Sequence, residues 1–282
     1  MKYYIVDAFA EQPFGGNPAG VVLLDGDFPS DKFMQQVAAE FRYSETAFVK
    51  RHSAHEFTVR YFTPCGEVDL CGHATIATFG MMLMETMVPA GTLCLNHTLA
   101  GDLSVRVGDT VMMEMAKPQV LPVEVDLERL CGIMGVGVDD VPIPAEVVST
   151  GLPDIMMGTG SVAQLNAMTP DMDALAQLSK ELGVTGLHAF ALSDDGYTAH
   201  VRNFGPLYGI PEESATGTAN AALTHYLHHN GIIASPSQCQ FLQGEAMQRP
   251  SVVATSLMAD GTVWVGGKVK IIASGVLRVD KD

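Results

Sequence analysis

Two short segments of the chain combine residue types that suit anion binding and proton transfer. Residues 71–73 read Cys-Gly-His and residues 216–218 read Thr-Gly-Thr, and each triplet opens an apolar helical stretch. Glycine lets a ligand approach the backbone closely, and the first N–H groups of a helix favour an anion. The segments therefore predict two cradles for a carboxylate or phosphate, built from Gly72, Gly217 and Thr218. The alternative is that each glycine only fits a tight turn.

Three titratable residues beside these segments are candidates for acid/base chemistry. Glu45 lies at the edge of an otherwise apolar strand, where its carboxylate faces either a cleft or solvent. Glu213 follows Glu212 just before the second helix, where an acid also complements the helix dipole. His73 stands at the start of the first helix, as a proton-transfer group or as a structural hydrogen-bond donor. Glu45, His73 and Glu213 are therefore candidates for proton transfer, and at this point their structural roles stay open.

Other reactive residues give weaker signals. Cys71 aligns with Thr216, and threonine cannot act as the second base of a two-thiol racemase. His225 and His229 share one helical face, but no nearby acid or cysteine completes a metal set. We interpret this pair as the solvated end of a helix. The chain also lacks a glycine-rich nucleotide loop, so we expect neither a metal nor an organic cofactor.

The chain contains an internal repeat that explains why these segments come in pairs. Residues 59–64 (VRYFTP) and 201–206 (VRNFGP) agree at four of six positions, at an offset of 142. Downstream the offset grows to 145, where residues 71–74 align with 216–219. Matches in the same order at nearly one offset predict a tandem duplication. Each half is expected to run strand, helix, strand, strand, loop, buried helix and further strands.

The duplication predicts two domains with one site. We place the boundaries at residues 1–117, joined by the last strand at about 275–282, and at residues 118–274. Equivalent loops of the two halves are expected to face each other across a cleft. Gly72 and Gly217 should then both face that cleft.

Composition excludes several classes of protein. The 282 residues include 16 Lys+Arg and 32 Asp+Glu, a net charge of −16, which disfavours nucleic acid and anionic lipid as partners. Hydrophobic residues make up 47%, enough for a folded core. Five cysteines, an odd number without paired spacing, indicate a reducing compartment. No apolar stretch of a signal peptide follows Met1, so we expect a cytoplasmic protein.

Seven motifs in order resemble one enzyme family, the phenazine-biosynthesis (PhzF-like) isomerases. They are GNPAG at 16–20, SETAF at 44–48, FTP at 62–64, CGHAT at 71–75, ATG at 215–217, QG at 243–244 and RPS at 249–251. The resemblance spans the whole chain. It implies an α+β, diaminopimelate epimerase-like fold of two pseudo-symmetric domains, each a curled, mostly antiparallel sheet around a central helix.

The resemblance also implies an activity, a cofactor-free proton transfer with Glu45 as the proton carrier. It makes His73 and Glu213 further catalytic residues. The substrate-binding residues that it implies are Asn17, Cys71, Gly72, Thr216, Gly217 and Thr218. At one position the chain departs from the family, because Glu213 stands where the family has aspartate. Glutamate lengthens the arm by about 1.5 Å, and displacements near 1 Å can change rates by about 10²-fold.

The sequence therefore predicts a cytoplasmic, cofactor-independent isomerase that acts on a small carboxylate. A homodimer is expected, and neither nucleic acid nor a membrane is expected as a partner. Two alternatives stay open. One is a two-base amino-acid epimerase, and the other is a non-catalytic ligand-binding protein on the same scaffold.

Overall fold

The computed structural model describes residues 1–279. The strands are β1 (Lys2–Ala8), β2 (Asn17–Leu23), β3 (Thr46–Arg51), β4 (Glu56–Phe62), β5 (Glu67–Val68), β6 (Thr92–Thr98), β7 (Gly101–Val107), β8 (Val111–Glu114), β9 (Gln119–Leu121), β10 (Glu146–Ser149), β11 (Pro153–Thr159), β12 (Gly186–Leu192), β13 (Ala199–Gly205), β14 (Ile210–Glu213), β15 (Ser237–Gln243), β16 (Ser251–Leu257), β17 (Val263–Gly267) and β18 (Val269–Val276). The helices are α1 (Asp31–Phe41), α2 (Gly72–Met84), α3 (Leu127–Met134), α4 (Val162–Ala167), α5 (Met172–Leu182) and α6 (Gly217–His229).

The chain forms two compact units. Unit 1 contains Met1–Glu114 and the chain from Gly266 onward, and unit 2 contains Met115–Val265. The last strand of unit 1, β18, lies earlier than the predicted region at about 275–282, because it follows the free edge of β1 in register from Val269 to Val276. Residues 280–282 of that predicted region lie outside the described residues.

The sheet of unit 1 is mixed and mostly antiparallel. Its order is β18, β1, β2, β3 and β4, and β4 then pairs with both β5 and β6, which continues to β7 and β8. Two pairings are parallel, β2 with β3 and β4 with β6. The connection from β2 to β3 contains α1, because parallel neighbours need a crossover.

Unit 2 repeats this order. Strands β9, β10, β11, β12 and β13 are neighbours, and β13 pairs with both β14 and β15, which continues to β16. Two pairings are again parallel. β11 pairs with β12 as β2 does with β3, and β13 pairs with β15 as β4 does with β6. The duplication and the mixed α+β class predicted from the sequence are therefore confirmed.

The shift of the repeat offset from 142 to 145 has a structural cause. In unit 1 a tight turn, closed by Thr63 N–H donating to Gly66 O at 2.8 Å, connects β4 to β5. In unit 2 a 3₁₀ turn at Pro206–Tyr208 ends at Gly209, whose φ of 74° is left-handed, and connects β13 to β14. The register shows the same match, since Tyr61 faces Val68 as Asn203 faces Glu213.

Each unit encloses one helix that is apolar nearly all round. In α2 every residue from His73 to Met82 is buried, and the helix packs on β1, β2, β3, β7, β8 and β18. In α6 the buried set includes residues 219–224, and the helix packs on β9, β10, β11, β12 and β16. A helix can lack a polar face only where other structure surrounds it. The curled sheets therefore fix where each central helix begins.

Two of the outer helices begin at side-chain N-caps. Ser30 caps α1 by accepting Phe33 N–H at 3.2 Å, and Asp171 caps α5 by accepting Ala174 N–H at 3.0 Å. Helix α1 covers a core around Phe48, and α3, α4 and α5 cover a larger one in unit 2. Among residues 1–279 we find no helix with the length and apolar content that crossing a membrane requires.

Candidate active site

The start of α2 in unit 1 brings three of the predicted residues together. Cys71 is the N-cap in extended conformation, Gly72 is the first helical residue and His73 the second. Glu45 ends the loop before β3, and its carbonyl accepts Gly20 N–H at 3.2 Å, which fixes the backbone there. Because β3 packs against α2, the loop before the strand lies beside the start of the helix.

Glu45 meets the imidazole of His73. Its Oε2 lies 3.2 Å from His73 Nε2, and the side chains are 20% and 7% exposed. Ser44 Oγ lies 3.4 Å from the same nitrogen. The sequence left open whether Glu45 faces solvent, and the structure places its carboxylate against a buried ring.

Cys71 approaches His73 from a different side. Its Sγ is 3.4 Å from Nδ1 and 3.9 Å from Nε2, so the thiol is nearer the ring nitrogen that Glu45 does not contact. Donor atoms of Glu45, Cys71 and His73 all lie within 4.8 Å of one another, and in residues 1–279 this is the group whose spacing could hold a metal ion. An ion there would occupy the Glu45 carboxylate and the His73 imidazole.

The histidine pair near the end of α6, His225 and His229, lies outside this group. The rings of His225 and His229 stack with centroids 6.3 Å apart near the end of α6. Burial lowers the pKa of His225, and the neighbouring His229 and His228 lower it further. No acid or cysteine among residues 1–279 joins them as a metal-ligand group.

The start of α6 in unit 2 holds Glu213. Thr216 is the N-cap, and its hydroxyl donates to Glu213 Oε2 at 2.6 Å. Glu212, the neighbouring acid, instead accepts hydrogen bonds from Arg202 Nε and Nη2, both at 2.9 Å. Glu67 pairs with Arg60 in the same way in unit 1. The two consecutive acids therefore differ in role. Glu212 belongs to a repeated ion pair, and Glu213 belongs to the helix start.

The other predicted binding residues lie at element ends. Asn17 begins β2, opposite Ala8 on β1, and is buried. Thr218 is in the first turn of α6, and its carbonyl accepts the hydroxyl of Thr150 at 2.9 Å. At Gly72 an added Cβ would meet only Met113 Cε, at 3.6 Å, so packing does not require glycine there.

Sequence reasoning assigned no role to several polar residues beside these starts. In the sequence, Gln243 belongs to the QG motif at 243–244 and Ser44 to the SETAF motif at 44–48, without a further signal. The structure buries Gln243 against Thr216 and Asn220. A buried polar side chain in the seventh position of a strand gives no signal by itself, since its partners come from distant parts of the chain.

Asp154 is a further missed residue, and it lies at the start of β11, almost fully buried. Burial, together with the charge of Glu213, raises the pKa of its carboxyl to about 7, and a hydrogen bond from the Gly186 backbone opposes both. The sequence signal that could have identified Asp154 as a buried acid is its position directly before the apolar run 155–157.

Comparison with known proteins identifies the family. Residues 6–275 match the family model of phenazine biosynthesis-like proteins, PhzC-PhzF. The uncharacterized isomerase YddE of Salmonella typhimurium is 34% identical and covers 89% of this chain and 88% of its own. A trans-2,3-dihydro-3-hydroxyanthranilate isomerase of Pseudomonas chlororaphis is 31% identical, covering 97% of this chain and 96% of its own.

Solved structures support the same assignment. A PhzF-family phenazine biosynthesis protein of Bacillus anthracis superposes with a TM-score of 0.87 at 25% identity, over 98% of this chain and 99% of the other. A probable proline racemase of Agrobacterium radiobacter, with a TM-score of 0.65 at 14% identity over 99% and 93% of the two chains, shares the fold alone. The resemblance inferred from the motifs is therefore confirmed, and the chain belongs to the phenazine biosynthesis-like family as a PhzF-type isomerase.

Proposed function

We propose that this isomerase moves a proton between two positions of a small carboxylate-bearing substrate, without a cofactor, and that Glu45 carries the proton. The observation that supports this most is the 3.2 Å contact between Glu45 Oε2 and His73 Nε2. A carboxylate held by one partner and partly shielded from water suits general acid/base catalysis. A carboxylate serving only solubility has no need of a buried imidazole.

The reaction balances without an external electron donor or acceptor. Glu45 takes a proton from a carbon of the substrate, and the electron pair of that C–H bond spreads into the adjacent unsaturated system. The protonated Glu45 then returns a proton to another carbon, which forms a new C–H bond and restores the carboxylate. His73 holds the carboxylate through Nε2, and Glu213 is a further catalytic residue in this proposal.

The substrate carboxylate would bind backbone N–H groups at the helix starts. The first N–H groups of a helix have no acceptor within the helix, and the dipole favours an anion there. Gly72 supports this role because packing within unit 1 does not require its lack of a side chain. Gly217, Thr218 and Asn17 complete the proposed binding set, with Cys71 and Thr216 as the two N-caps.

The relative from Pseudomonas chlororaphis supplies a first test compound, trans-2,3-dihydro-3-hydroxyanthranilate, which carries the required carboxylate. Glu213 has a longer arm than the aspartate of the family motif, so related ring acids should be tested beside it. A homodimer, a cytoplasmic location and the lack of nucleic-acid and membrane partners stay predictions.

The two-base epimerase is the weaker alternative. It needs facing acid/base groups at equivalent positions, and the equivalent of Cys71 is Thr216. The hydroxyl of Thr216 donates to Glu213, which ties it to the helix start. A purely ligand-binding protein is the other alternative, and it predicts binding without proton exchange.

The decisive experiment measures deuterium incorporation in D₂O. The test compound is incubated with the parent protein and with Glu45→Gln, and exchange is followed by NMR and mass spectrometry. General acid/base catalysis contributes about 10²–10⁴-fold, so Glu45→Gln should exchange at least about 10²-fold more slowly. Substrate binding should change little, because the amide is nearly isosteric and the helix starts remain.

Glu85→Gln is the matched control. It makes the same chemical change at the other end of α2, where Glu85 binds Lys2 and Tyr4 at 2.9 and 2.7 Å. Its exchange rate should equal that of the parent. Exchange by Glu45→Gln at the parent rate would show that Glu45 is not the proton carrier. Binding of the compound without exchange by the parent would favour the ligand-binding alternative.

A further inference from the structure

Gln243 stands at the centre of a buried hydrogen-bond chain in unit 2 that ends at Glu213. Its side chain is fully buried at the end of β15. Gln243 Oε1 accepts Thr216 N–H at 3.1 Å, and Gln243 Nε2 donates to Glu213 O at 2.8 Å and to Thr216 Oγ1 at 3.1 Å. One side chain thus holds both the N-cap of α6 and the residue that the proposed function places in the site.

The direction of each bond in this chain is fixed by backbone groups. A backbone N–H can only donate and a carbonyl can only accept. Thr216 N–H and Glu213 O therefore settle which end of the Gln243 amide is oxygen and which is nitrogen. Because Thr216 Oγ1 already accepts from Gln243, its single proton goes to Glu213 Oε2, 2.6 Å away.

The same reasoning extends the chain further into unit 2. Asn220 Nδ2 donates to the Thr216 carbonyl and to Gln243 Oε1, both at 2.9 Å, so Asn220 Oδ1 is an acceptor. His188 Nε2 lies 3.3 Å from that oxygen and must carry the proton, while Nδ1 accepts from Asn203 Nδ2 at 3.2 Å. Burial lowers the pKa of His188 to about 4, so the ring is neutral at neutral pH.

Every bond of the chain therefore points the same way. The order of donation is Asn203, His188, Asn220, Gln243, Thr216 and finally Glu213. We propose that Gln243 is a positioning residue, which orients this chain so that the Thr216 hydroxyl donates to Glu213 and holds Glu213 as an ionised acceptor. The proposal rests on the proposed function for the role of Glu213 in turnover. The chain itself is independent of that role.

An ionised acceptor narrows the substrate class. A carboxylate that receives a hydroxyl proton recognises a hydrogen-bond donor, such as an amino or hydroxyl group. It repels a carboxylate. In this proposal the substrate therefore bears a donor group toward unit 2, in addition to its carboxylate.

Several charged or titratable groups bear on the state of Glu213. Asp154 on β11 interacts with the charge of Glu213. His188 on β12 is a neutral member of the hydrogen-bond chain, and Glu212 forms the adjacent ion pair with Arg202. Asp154 is protonated up to about pH 7, and Arg202 neutralises Glu212. The Thr216 hydroxyl is the contact with Glu213 that a single substitution removes without changing any charge.

The test is a titration of the Glu213 carboxyl in the full protein. Glutamate is labelled with ¹³C at the carboxyl carbon, and the Glu213 signal is assigned with Glu213→Gln. Thr216→Val is isosteric and removes the donor, so the midpoint should rise by about one pH unit. Thr216→Ser keeps the hydroxyl and should titrate like the parent.

Thr224→Val is the matched control, because it removes a buried hydroxyl from the same helix that bonds Asn220 O and Thr255 and not Glu213. It should leave the midpoint unchanged. Gln243→Glu reverses the polarity at the centre, since its carboxylate competes for the Thr216 proton, and it should raise the midpoint as well. Where Gln243→Glu fails to fold, the threonine series decides alone.

Equal midpoints for Thr216→Val and the parent, or a shift as large in Thr224→Val, would overturn the proposal. This result is separate from a failure of the proposed function. The titration needs no substrate, whereas the proposed function fails when Glu45→Gln exchanges substrate protons at the parent rate.

Discussion

The starts of the two central helices occupy equivalent positions in the repeat but carry their acids differently. In unit 1 the acid is Glu45, from the loop before β3, and it contacts a histidine of the helix. In unit 2 the acid is Glu213, from β14, and it contacts the N-cap hydroxyl. By strand register the position equivalent to Glu45 is Gly186, and the one equivalent to Glu213 is Val68. Neither acid is therefore the copy of the other.

This difference bears on the kind of reaction that such a duplication supports. Two-base epimerisation uses matched groups, one from each half, that act from opposite faces of a carbon. Here one start offers a carboxylate beside an imidazole and thiol, and the other offers a carboxylate beside a hydroxyl and amides. Unequal starts suit a reaction with one proton carrier and one binding group, as in the proposed function.

The polar cores behind the helix starts diverge in the same way. In unit 1 the hydroxyl of Tyr61 joins Thr75 at 2.6 Å and Asn96 at 3.0 Å, and Thr75 donates to the Cys71 carbonyl. In unit 2 the place of Thr75 is taken by Asn220, which has an amide and can extend the chain to Gln243. The start of α6 is therefore reached by two linked side-chain amides, those of Asn220 and Gln243.

The largest effect that sharpens the comparison concerns Asp154, whose equivalent in unit 1 by strand register is Ala19. Burial raises its pKa to about 7 from 3.8. Between these values the folded state binds a proton that the unfolded state has released. The free energy of unfolding therefore falls as pH rises from about 4 to about 7, by about 4 kcal/mol.

Asp154→Asn removes this dependence while its Oδ1 can still accept the Gly186 N–H. Urea unfolding of parent and variant should give similar free energies near pH 4. Near pH 8 the variant should be more stable, by about 4 kcal/mol at most. In Glu213→Gln the pKa of Asp154 should fall, because the neighbouring charge is gone. A constant difference between parent and Asp154→Asn across this range would contradict a buried, protonated Asp154.

The next largest expected effect is on kcat/KM and concerns the length of the Glu213 side chain. Glu213→Asp restores the family residue but withdraws the carboxylate by about 1.5 Å from a hydroxyl at 2.6 Å. Displacements near 1 Å can cost about 10²-fold, so we expect a 10- to 100-fold change in kcat/KM without loss of turnover. Substrate preference should change with it. Identical kinetics on a panel of ring and open-chain acids would show that Glu213 does not meet the substrate.

The fold, and the residues that stand at the two helix starts, could be predicted from the sequence because they leave local or repeated signals. The offset of 142 predicted matching sheets, and the structure repeats even the ion pairs Arg60–Glu67 and Arg202–Glu212. Apolar runs at both helix starts predicted enclosed helices. Such features depend on neighbours in the sequence or on a copy elsewhere in the chain.

The remaining features depend on contacts between distant residues, which a sequence pattern does not record. Glu45 and His73 are 28 positions apart, and only the packing of β3 on α2 brings them to 3.2 Å. Gln243 and Thr216 meet because β15 returns beside the helix start. The state of Asp154 follows from burial, which the single acid in the sequence does not reveal.

A smaller effect concerns the two N-cap residues. Cys71→Thr makes the start of α2 chemically like that of α6. If Glu45 is the proton carrier, the variant should keep its rate within about 10-fold, since the thiol lies nearer His73 Nδ1, at 3.4 Å, than Nε2, at 3.9 Å, and Glu45 contacts Nε2. Stability should change by about 1 kcal/mol, as is usual for a single substitution. A loss beyond 10²-fold with Glu45 intact would favour the thiol as a base and revive the two-base alternative.

The smallest expected effect is that of a chelator. Glu45, Cys71 and His73 have the spacing of a metal-ligand group, whereas the equivalent positions in unit 2 are Gly186, Thr216 and Thr218, which offer no such set. In the proposed function Glu45 must be available to accept a proton, and a bound cation would keep its carboxylate occupied and ionised. The thiol also lies nearer Nδ1 while the carboxylate lies at Nε2, so the donors approach different ring nitrogens.

Deuterium exchange should therefore be unchanged, within about twofold, after dialysis against EDTA, and elemental analysis of the active protein should find less than one metal ion per chain. Loss of exchange on chelation, restored by one particular metal, would contradict the proton-carrier role of Glu45 and would assign the start of α2 to a metal centre instead.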